Sequence, residues 1–210
     1  MKKSDQVIRE ILYRTYERGE RFMSQTALAR ECKVSLDLVN QVAARLHGFG
    51  AIEKKPMGFR VTNPRKILLY WASTRNLRKD IVYSTYSPDS ASEIEAQMPR
   101  DAIFTCFSGY RLRFGEVPAH YERVFVYADA SEVRQRFPKI EAERMHIFVL
   151  RPDPNLARVS EGGAAPLVQI YVDLWQTGGA IADRFIIELE KKFEALTAEA
   201  LKTLLQTDYV

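Results

Sequence analysis

Residues 23–62, MSQTALARECKVSLDLVNQVAARLHGFGAIEKKPMGFRVT, decide the fold of the first third of the chain. A first helix is predicted to begin after Ser24 and a second after Ser35, because serine is a favoured N-cap residue and an apolar periodicity of three and four follows each. The periodicity breaks at residues 32–34, between the two serine caps. The pattern therefore predicts two helices joined by a tight turn.

The second predicted helix has one apolar and one polar face. Its inward residues recur at helical spacing and are Leu36, Val39, Val42, Ala43 and Leu46. Its outward residues are Asp37, Leu38, Asn40, Gln41, Ala44 and Arg45. Two short strands follow over residues 51–55 and 59–62, joined around Pro56-Met57-Gly58, a typical turn composition. The complete pattern is helix, turn, helix and hairpin.

This order of elements resembles the winged helix-turn-helix of bacterial and archaeal transcriptional regulators. The residues that carry the resemblance are LAxxxxVSxxxVxxxxxxLxxxGxIEK from Leu28 and GFRVT ending at Thr62. The resemblance implies that the second helix enters the major groove of double-stranded DNA and that the hairpin acts as a wing. Where the family often has glycine in the turn, this chain has Lys33. We expect Lys33 to adopt a positive φ, at a cost of about 1 kcal/mol.

The resemblance also implies which residues contact DNA. Asn40 and Gln41 are expected to bond adenine, because amide side chains pair with its N6 and N7 atoms, and Arg45 is expected to meet a phosphate or a guanine. The cations of the hairpin are expected to bind phosphates. The alternative is an ordinary solvated helix face, on which Ser35 is only a cap. The predicted DNA-binding set is Ser35, Asp37, Leu38, Asn40, Gln41, Ala44, Arg45, Lys54, Lys55 and Arg60.

Positive charge is concentrated in the same part of the chain. The 210-residue chain has a net charge of +4. Residues 1–66 contain 14 Lys and Arg against 7 Asp and Glu, a net charge of +7, so the remainder has a net charge of −3. A basic module joined to a slightly acidic remainder is typical of a phosphate-binding protein.

Composition also predicts the cellular compartment in which the protein is found. No apolar run approaches the ~18 residues of a membrane span, and no signal-type apolar segment follows the charged start. The two cysteines, Cys32 and Cys106, lie far apart and form no metal motif. We therefore expect a cytoplasmic protein with buried cysteines and no membrane partner.

The rest of the chain predicts alternating strands and helices. A helix over residues 4–18 would support the helix-turn-helix, with Phe22 closing its loop into the core. Asn63-Pro64 is a boundary, since proline disfavours helix in the residue before it. This predicts two domains, a winged helix-turn-helix over residues 1–63 and an α/β domain over residues 66–210.

The predicted elements of the second domain come from period and composition. Helices are predicted over 67–79, 90–98, 131–136 and 179–193, strands over 81–86, 124–128, 145–150 and 167–174, and a loop over 151–165. Residues 102–107 fit either a strand or the start of a buried helix, and residues 198–205 either extend the last helix or follow it. The inward face of the last helix is predicted to be Ile181, Phe185, Ile186, Leu189 and Phe193.

Three segments of this second domain carry another resemblance, namely WASTRNLRKDIVYSTYSPDSASEIEAQM from Trp71, IFTCFSGYRLRFG from Ile103 and LVQIYVDLWQTGG from Leu167. They resemble the carboxy-terminal region of AbiEi-type antitoxins, autorepressors of type IV toxin–antitoxin systems. The resemblance implies an α+β chain whose second domain is related to a degenerate nucleotidyltransferase fold. It also implies a nucleotidyltransferase toxin as functional partner, and paired operator half-sites would suit a homodimer.

The residues do not predict nucleotidyl transfer by this chain itself. That chemistry needs Gly-Ser at a helix start and paired acids on a strand. Here the order is Ser108-Gly109, and Asp129 and Asp173 each stand alone, with Asp183 on the following helix. Asp173 is instead expected at a strand end, bonding backbone amides. No catalytic residue, metal ligand or cofactor is predicted.

The sequence thus predicts a sequence-specific DNA-binding transcriptional regulator that is not an enzyme. Two alternatives stay open, namely a nucleotide-handling enzyme in which isolated acids converge, and a winged-helix module that binds proteins.

Overall fold

The computed structural model describes residues 1–207, with side chains described through residue 198. The helices are α1 (Lys3–Glu17), α2 (Gln25–Cys32), α3 (Leu36–Gly48), α4 (Pro64–Thr74), α5 (Ala91–Ala96), α6 (Cys106–Phe114), α7 (Ala130–Arg136), α8 (Leu156–Val159), α9 (Leu167–Thr177) and α10 (Ala180–Thr207), with a 3₁₀ helix at Leu77–Asp80. The strands are β1 (Phe22–Met23), β2 (Ile52–Lys55), β3 (Gly58–Val61), β4 (Ile81–Thr85), β5 (Ile103–Thr105), β6 (Val124–Tyr127) and β7 (Ile147–Leu150). Two separate small sheets among these helices confirm the α+β class.

The chain forms two units. The amino-terminal unit contains Lys2–Ser73 and the chain from Ile187 onward, and the central unit contains Met1 and Thr74–Ile186. Helix α4 thus joins the amino-terminal unit, beyond the predicted division at Asn63-Pro64. The Tyr70 ring packs 5.3 Å from that of Phe49, just after α3, and this contact ties α4 to the helices before it.

The amino-terminal unit combines helices α1 to α4 with a three-stranded antiparallel sheet of order β1-β3-β2. Ser24 and Ser35 cap α2 and α3 by accepting hydrogen bonds from the backbone N–H groups of Ala27 and Leu38, as predicted. Lys33 has a φ of 52°, so the turn takes the left-handed conformation without glycine, also as predicted. These local signals mark the beginning of α2, the turn after it and the beginning of α3.

Three large apolar side chains that were predicted to face inward are exposed. Phe22 is 53% exposed and its neighbour Met23 is buried, because successive residues of strand β1 point to opposite faces. Leu36 and Ile181 are each 45% exposed, and both lie in the first turn of their helix.

The central unit contains a four-stranded sheet of order β4-β7-β6-β5, in which β6 and β7 are parallel and the other pairs are antiparallel. Val126 and Val149 pack with residues of α5 and α7 on one face. Phe125 and Tyr127 point to the other face, where Phe125 meets Phe107 of α6 and Tyr127 meets Asp173 of α9. Helices therefore cover both faces of the sheet.

The prediction of a last strand over residues 167–174 is wrong, because this segment is part of helix α9. Every residue from Leu167 to Leu174 is buried, so the segment has no polar face to reveal a helical period. The alternative left open at residues 102–107 is resolved as a strand followed by a helix, β5 and then α6 from Cys106. Among residues 1–207, no helix combines the length and apolarity that a membrane crossing requires.

Candidate nucleic-acid interface

Helix α3 presents a polar surface because its opposite side is anchored in the core. Val39, Val42, Ala43 and Leu46 are all buried. The exposed residues include Ser35, Asp37, Asn40, Gln41, Ala44 and Arg45, while Leu38 is half-buried. The periodicity of the sequence therefore placed the outward face correctly, with Leu36 added to it.

The amide side chains of α3 are held by single exposed hydrogen bonds. Gln25 of α2 donates from Nε2 to the Asn40 Oδ1 atom at 2.8 Å. Gln41 donates from Nε2 to Asp37 Oδ2 at 2.7 Å, one turn earlier in the same helix. Because water reaches both bonds, a ligand with matching donors and acceptors can replace them at little net cost.

Arg45 is positioned by a residue that the sequence analysis did not single out. Its Nη1 atom donates to the hydroxyl of Tyr70 on α4 at 3.0 Å. Within the described part of the chain Arg45 forms no ion pair. Its guanidinium group is therefore exposed, oriented and not neutralised by a carboxylate. Helical periodicity could not reveal this contact, because the two residues are 25 positions apart.

The β2–β3 hairpin carries exposed Lys54, Lys55 and Arg60, but it also carries Glu53. Glu53 accepts a hydrogen bond from the Lys55 ammonium at 2.7 Å and lies opposite Arg60 in the strand register. The bond from Lys55 and the charges of Lys55 and Arg60 lower the pKa of Glu53. This carboxylate therefore stays ionised at neutral pH and offsets part of the hairpin's positive charge.

Lys54 differs from the other hairpin cations. It pairs in register with Phe59, whereas Glu53 pairs with Arg60, so Lys54 and Glu53 point to opposite faces of the hairpin. No carboxylate within the described residues forms an ion pair with Lys54. Lys54 thus provides the hairpin's positive charge on the face away from Glu53.

Asp173, one of the isolated acids considered for metal chemistry, lies within the central unit and is fully buried. The prediction that Asp173 lies at a strand end and bonds backbone amides is wrong. The residue lies on helix α9, and its carboxylate bonds side chains. Its carboxylate accepts from Arg75 Nε at 3.3 Å, from Thr105 Oγ1 at 2.9 Å, from Tyr127 Oη at 2.7 Å and from Gln169 Nε2 at 2.9 Å. We call these five residues the Asp173 cluster.

Electrostatics inside this cluster indicate a structural role. Burial would lower the pKa of Arg75, but the charges of Asp173 and of Asp80, which is also ion-paired with Arg75, raise it overall. Burial and the Asp173 charge raise the pKa of Tyr127 and of the nearby Cys106 thiol well above their usual ranges. Arg75 therefore stays charged, and Tyr127 and Cys106 stay neutral.

The other acids and the two cysteines occupy separate positions. Asp129 caps α7 by accepting from the Ser131 backbone N–H at 2.8 Å, and Asp183 is exposed in the first turn of α10. Cys32 and Cys106 are both buried, as predicted, and neither is part of a disulfide. The residues described by the structure contain no group of three or more His, Cys, Asp or Glu arranged to hold a metal ion.

Comparison of the chain with known protein families, with curated proteins and with solved structures gives no match.

Proposed function

We propose that this chain is a sequence-specific DNA-binding transcriptional regulator whose amino-terminal unit acts as a winged helix-turn-helix. The observation that carries the proposal is the exposed face of α3. It places two amide side chains and one unneutralised guanidinium on a helix whose other side is buried. A helix pair joined by a tight turn and followed by a basic hairpin is the arrangement such regulators use to read the major groove.

Under this proposal, α3 makes the base contacts. Asn40 and Gln41 would exchange their bonds to Gln25 and Asp37 for the N6 and N7 atoms of adenine. The carboxylate of Asp37, released from Gln41, would be an acceptor for the cytosine N4 amino group. Each good bidentate contact is worth about 1–3 kcal/mol of discrimination between bases.

The hairpin would bind phosphates and so contribute affinity without sequence preference. Lys54 is the strongest candidate, because Glu53 lies on the opposite face. Lys55 and Arg60 contribute less, since they share Glu53 as a neighbour.

The biological role and the fold of the central unit are proposed from the resemblance to AbiEi-type antitoxins. We propose an autorepressor of a type IV toxin–antitoxin system, acting in the cytoplasm as a homodimer with a nucleotidyltransferase toxin as its functional partner. The resemblance also implies a degenerate nucleotidyltransferase fold. The central unit has a mixed sheet with helices packed on both faces, and this three-layer arrangement supports the proposed fold.

The test is fluorescence anisotropy of the full chain with two labelled duplexes, one carrying the DNA upstream of its own coding sequence and one a scrambled version. We expect the upstream duplex to bind more tightly. Gln41→Ala should reduce that preference by about 1–3 kcal/mol, because one bidentate contact is lost. Binding to the scrambled duplex should change little.

Gln97→Ala is the matched control, since Gln97 is also an exposed glutamine with a carboxylate partner, Asp89. It should leave both affinities unchanged. Equal binding to the two duplexes would contradict sequence-specific autorepression. Absence of binding even at low salt would instead favour the protein-binding module.

A further inference from the structure

The central unit contains a cavity of about 450 Å³ that the DNA-binding proposal does not use. Its lining includes residues 120–123 and 144–146, which directly precede the parallel strands β6 and β7. The cavity therefore opens at the amino-terminal end of this strand pair. Its volume falls within the ~300–1,000 Å³ range of small-molecule sites.

The charged side chains of the lining are mostly positive. They are two guanidinium groups, those of Arg123 and Arg144, and one carboxylate, that of Glu122. Across the residues whose side chains are described, neither arginine forms an ion pair. Arg123 is half-buried, and its guanidinium carbon lies 5.6 Å from the ring centre of Phe107 and 5.9 Å from that of Phe125. A partly buried cation held only by aromatic rings leaves its charge available to an anion.

An aromatic surface adjoins this charge. Phe148 stacks on Phe125 with ring centres 4.5 Å apart and planes inclined by 8°. These residues pair in register on β6 and β7, so their rings lie side by side on one face of the sheet. Phe148 is half-buried and lines the cavity. A planar ligand ring can extend the stack that the two phenylalanines begin.

Two histidines add polar groups to the same cavity, His120 and His146. The His146 Nδ1 atom lies 2.6 Å from the Ser87 carbonyl oxygen, so it is the protonated nitrogen and donates to that carbonyl. The Tyr86 ring packs 4.9 Å away. These two contacts hold the imidazole in place beside the cavity.

We infer that this cavity binds a small organic anion that carries an aromatic ring. The anionic group pairs with Arg123 and Arg144, and the ring stacks on Phe148. Mononucleotides and aromatic carboxylates share this chemistry. The inference is independent of DNA binding, because every residue it uses belongs to the central unit.

The test is isothermal titration calorimetry of the full chain with matched probes. AMP and benzoate carry both the ring and the charge, adenosine and benzamide lack the charge, and ribose 5-phosphate lacks the ring. We expect at least one charged ring compound to bind at least about tenfold more tightly than its uncharged counterpart. Tighter binding of AMP identifies a nucleotide site, and tighter binding of benzoate identifies a carboxylate site.

Variants assign the binding to this cavity. Arg123→Gln and Arg144→Gln should each weaken the charged probe about tenfold, which is about 1.4 kcal/mol, and leave the uncharged counterpart unchanged. Arg144 is exposed and has no ion pair among the residues whose side chains are described, so we expect its variant to fold and to test the inference even if the Arg123 variant unfolds. Phe148→Leu should reduce AMP affinity toward that of ribose 5-phosphate.

Arg134→Gln is the matched control, because Arg134 also lies over an aromatic ring, that of Tyr83 at 4.9 Å, but outside this cavity. It should have no effect on any probe. The inference is overturned if no probe binds at millimolar concentration or if the charged probes bind no better than the uncharged ones. Unchanged affinity in both arginine variants would overturn it as well.

Discussion

Two groups of polar side chains in this protein have similar composition and opposite surroundings. On α3, Asn40, Gln41 and Arg45 are exposed, and the side chain of each forms one hydrogen bond, to a partner that water can replace. In the Asp173 cluster, one carboxylate receives four side-chain hydrogen bonds out of contact with water. The first group is arranged to exchange partners, and the second is arranged to keep them.

This difference shows that the partners of a polar residue, rather than its type, distinguish a surface that is able to bind a ligand from a structural core. Arg45 and Arg75 are both arginines bonded to a tyrosine hydroxyl, at 3.0 and 3.2 Å. Arg75 also pairs with Asp80 and Asp173 and is buried, whereas Arg45 has no carboxylate partner among the residues described. Only the exposed arginine has charge left for a phosphate or a base.

The largest expected effect comes from breaking the buried group. Asp173→Ala removes the common acceptor of the cluster and leaves Arg75 buried with Asp80 as its remaining carboxylate. Because an incompletely compensated buried charge is costly, we expect the free energy of unfolding to fall by about 3–5 kcal/mol. Urea denaturation followed by circular dichroism measures this loss.

Asp37→Ala is the matching change in the exposed group. Asp37 lies in the first turn of α3 and accepts one exposed bond from Gln41, so its removal should cost less than about 1 kcal/mol. Similar losses for the two variants would show that the proposed contrast between the groups is wrong.

The same contrast explains which parts of the fold the sequence could predict. Caps and turns are local, so Ser24, Ser35 and the left-handed Lys33 follow from a few neighbouring residues. Residues 167–174 of helix α9 are all buried, so the polar Asp173 and Gln169 lie in a segment without an exposed helical face. Such a segment cannot be told from a strand by period alone.

The candidate site was predictable only in part for a related reason. Period places Asn40 and Gln41 on the outside of α3, but Gln25 and Tyr70, which hold Asn40 and Arg45, come from other helices. The cavity beside Arg123 was not predicted at all, since its lining comes from segments that are far apart in the sequence and that the sheet brings together. Contacts of this kind depend on tertiary structure and leave no pattern in the sequence.

A smaller loss of stability is expected at Gly58, where the hairpin packs closely against the backbone of Met23. A Cβ atom at Gly58 would lie 2.1 Å from the backbone oxygen of Met23 on the adjacent strand, so Gly58→Ala forces the two strands apart. We expect a loss of about 1–3 kcal/mol in the free energy of unfolding. Thermal and urea denaturation of the full chain measure it.

Gly48→Ala provides the control, because a Cβ atom there meets nothing within 4 Å and the residue is helical. It should stabilise the protein by about 0.5–1 kcal/mol, since glycine is unfavourable in a helix. A Gly58→Ala variant as stable as the parent protein would mean that the hairpin does not depend on this contact.

The smallest expected effect extends the comparison to the exposed charges of the hairpin, Lys54 and Glu53. If the hairpin binds phosphates, Lys54→Ala should lower the slope of log affinity against log salt concentration by about 0.9, the contribution of one phosphate contact. Glu53→Gln should change the slope in the opposite direction, because it frees Lys55 from its 2.7 Å ion pair and removes the charge opposite Arg60. Anisotropy titrations at several salt concentrations measure both slopes.

Glu132→Gln separates this local effect from a general change in net charge. Glu132 is an exposed carboxylate paired with Arg136 at 3.5 Å in the central unit, so its variant gains the same charge outside the amino-terminal unit that carries the hairpin. If Glu53→Gln steepens the slope and Glu132→Gln does not, the hairpin is the phosphate-binding element. Equal changes in both variants would attribute the salt dependence to overall charge, and the hairpin would then not act as a phosphate-binding wing. The face of α3 would remain the surface to test for base contacts.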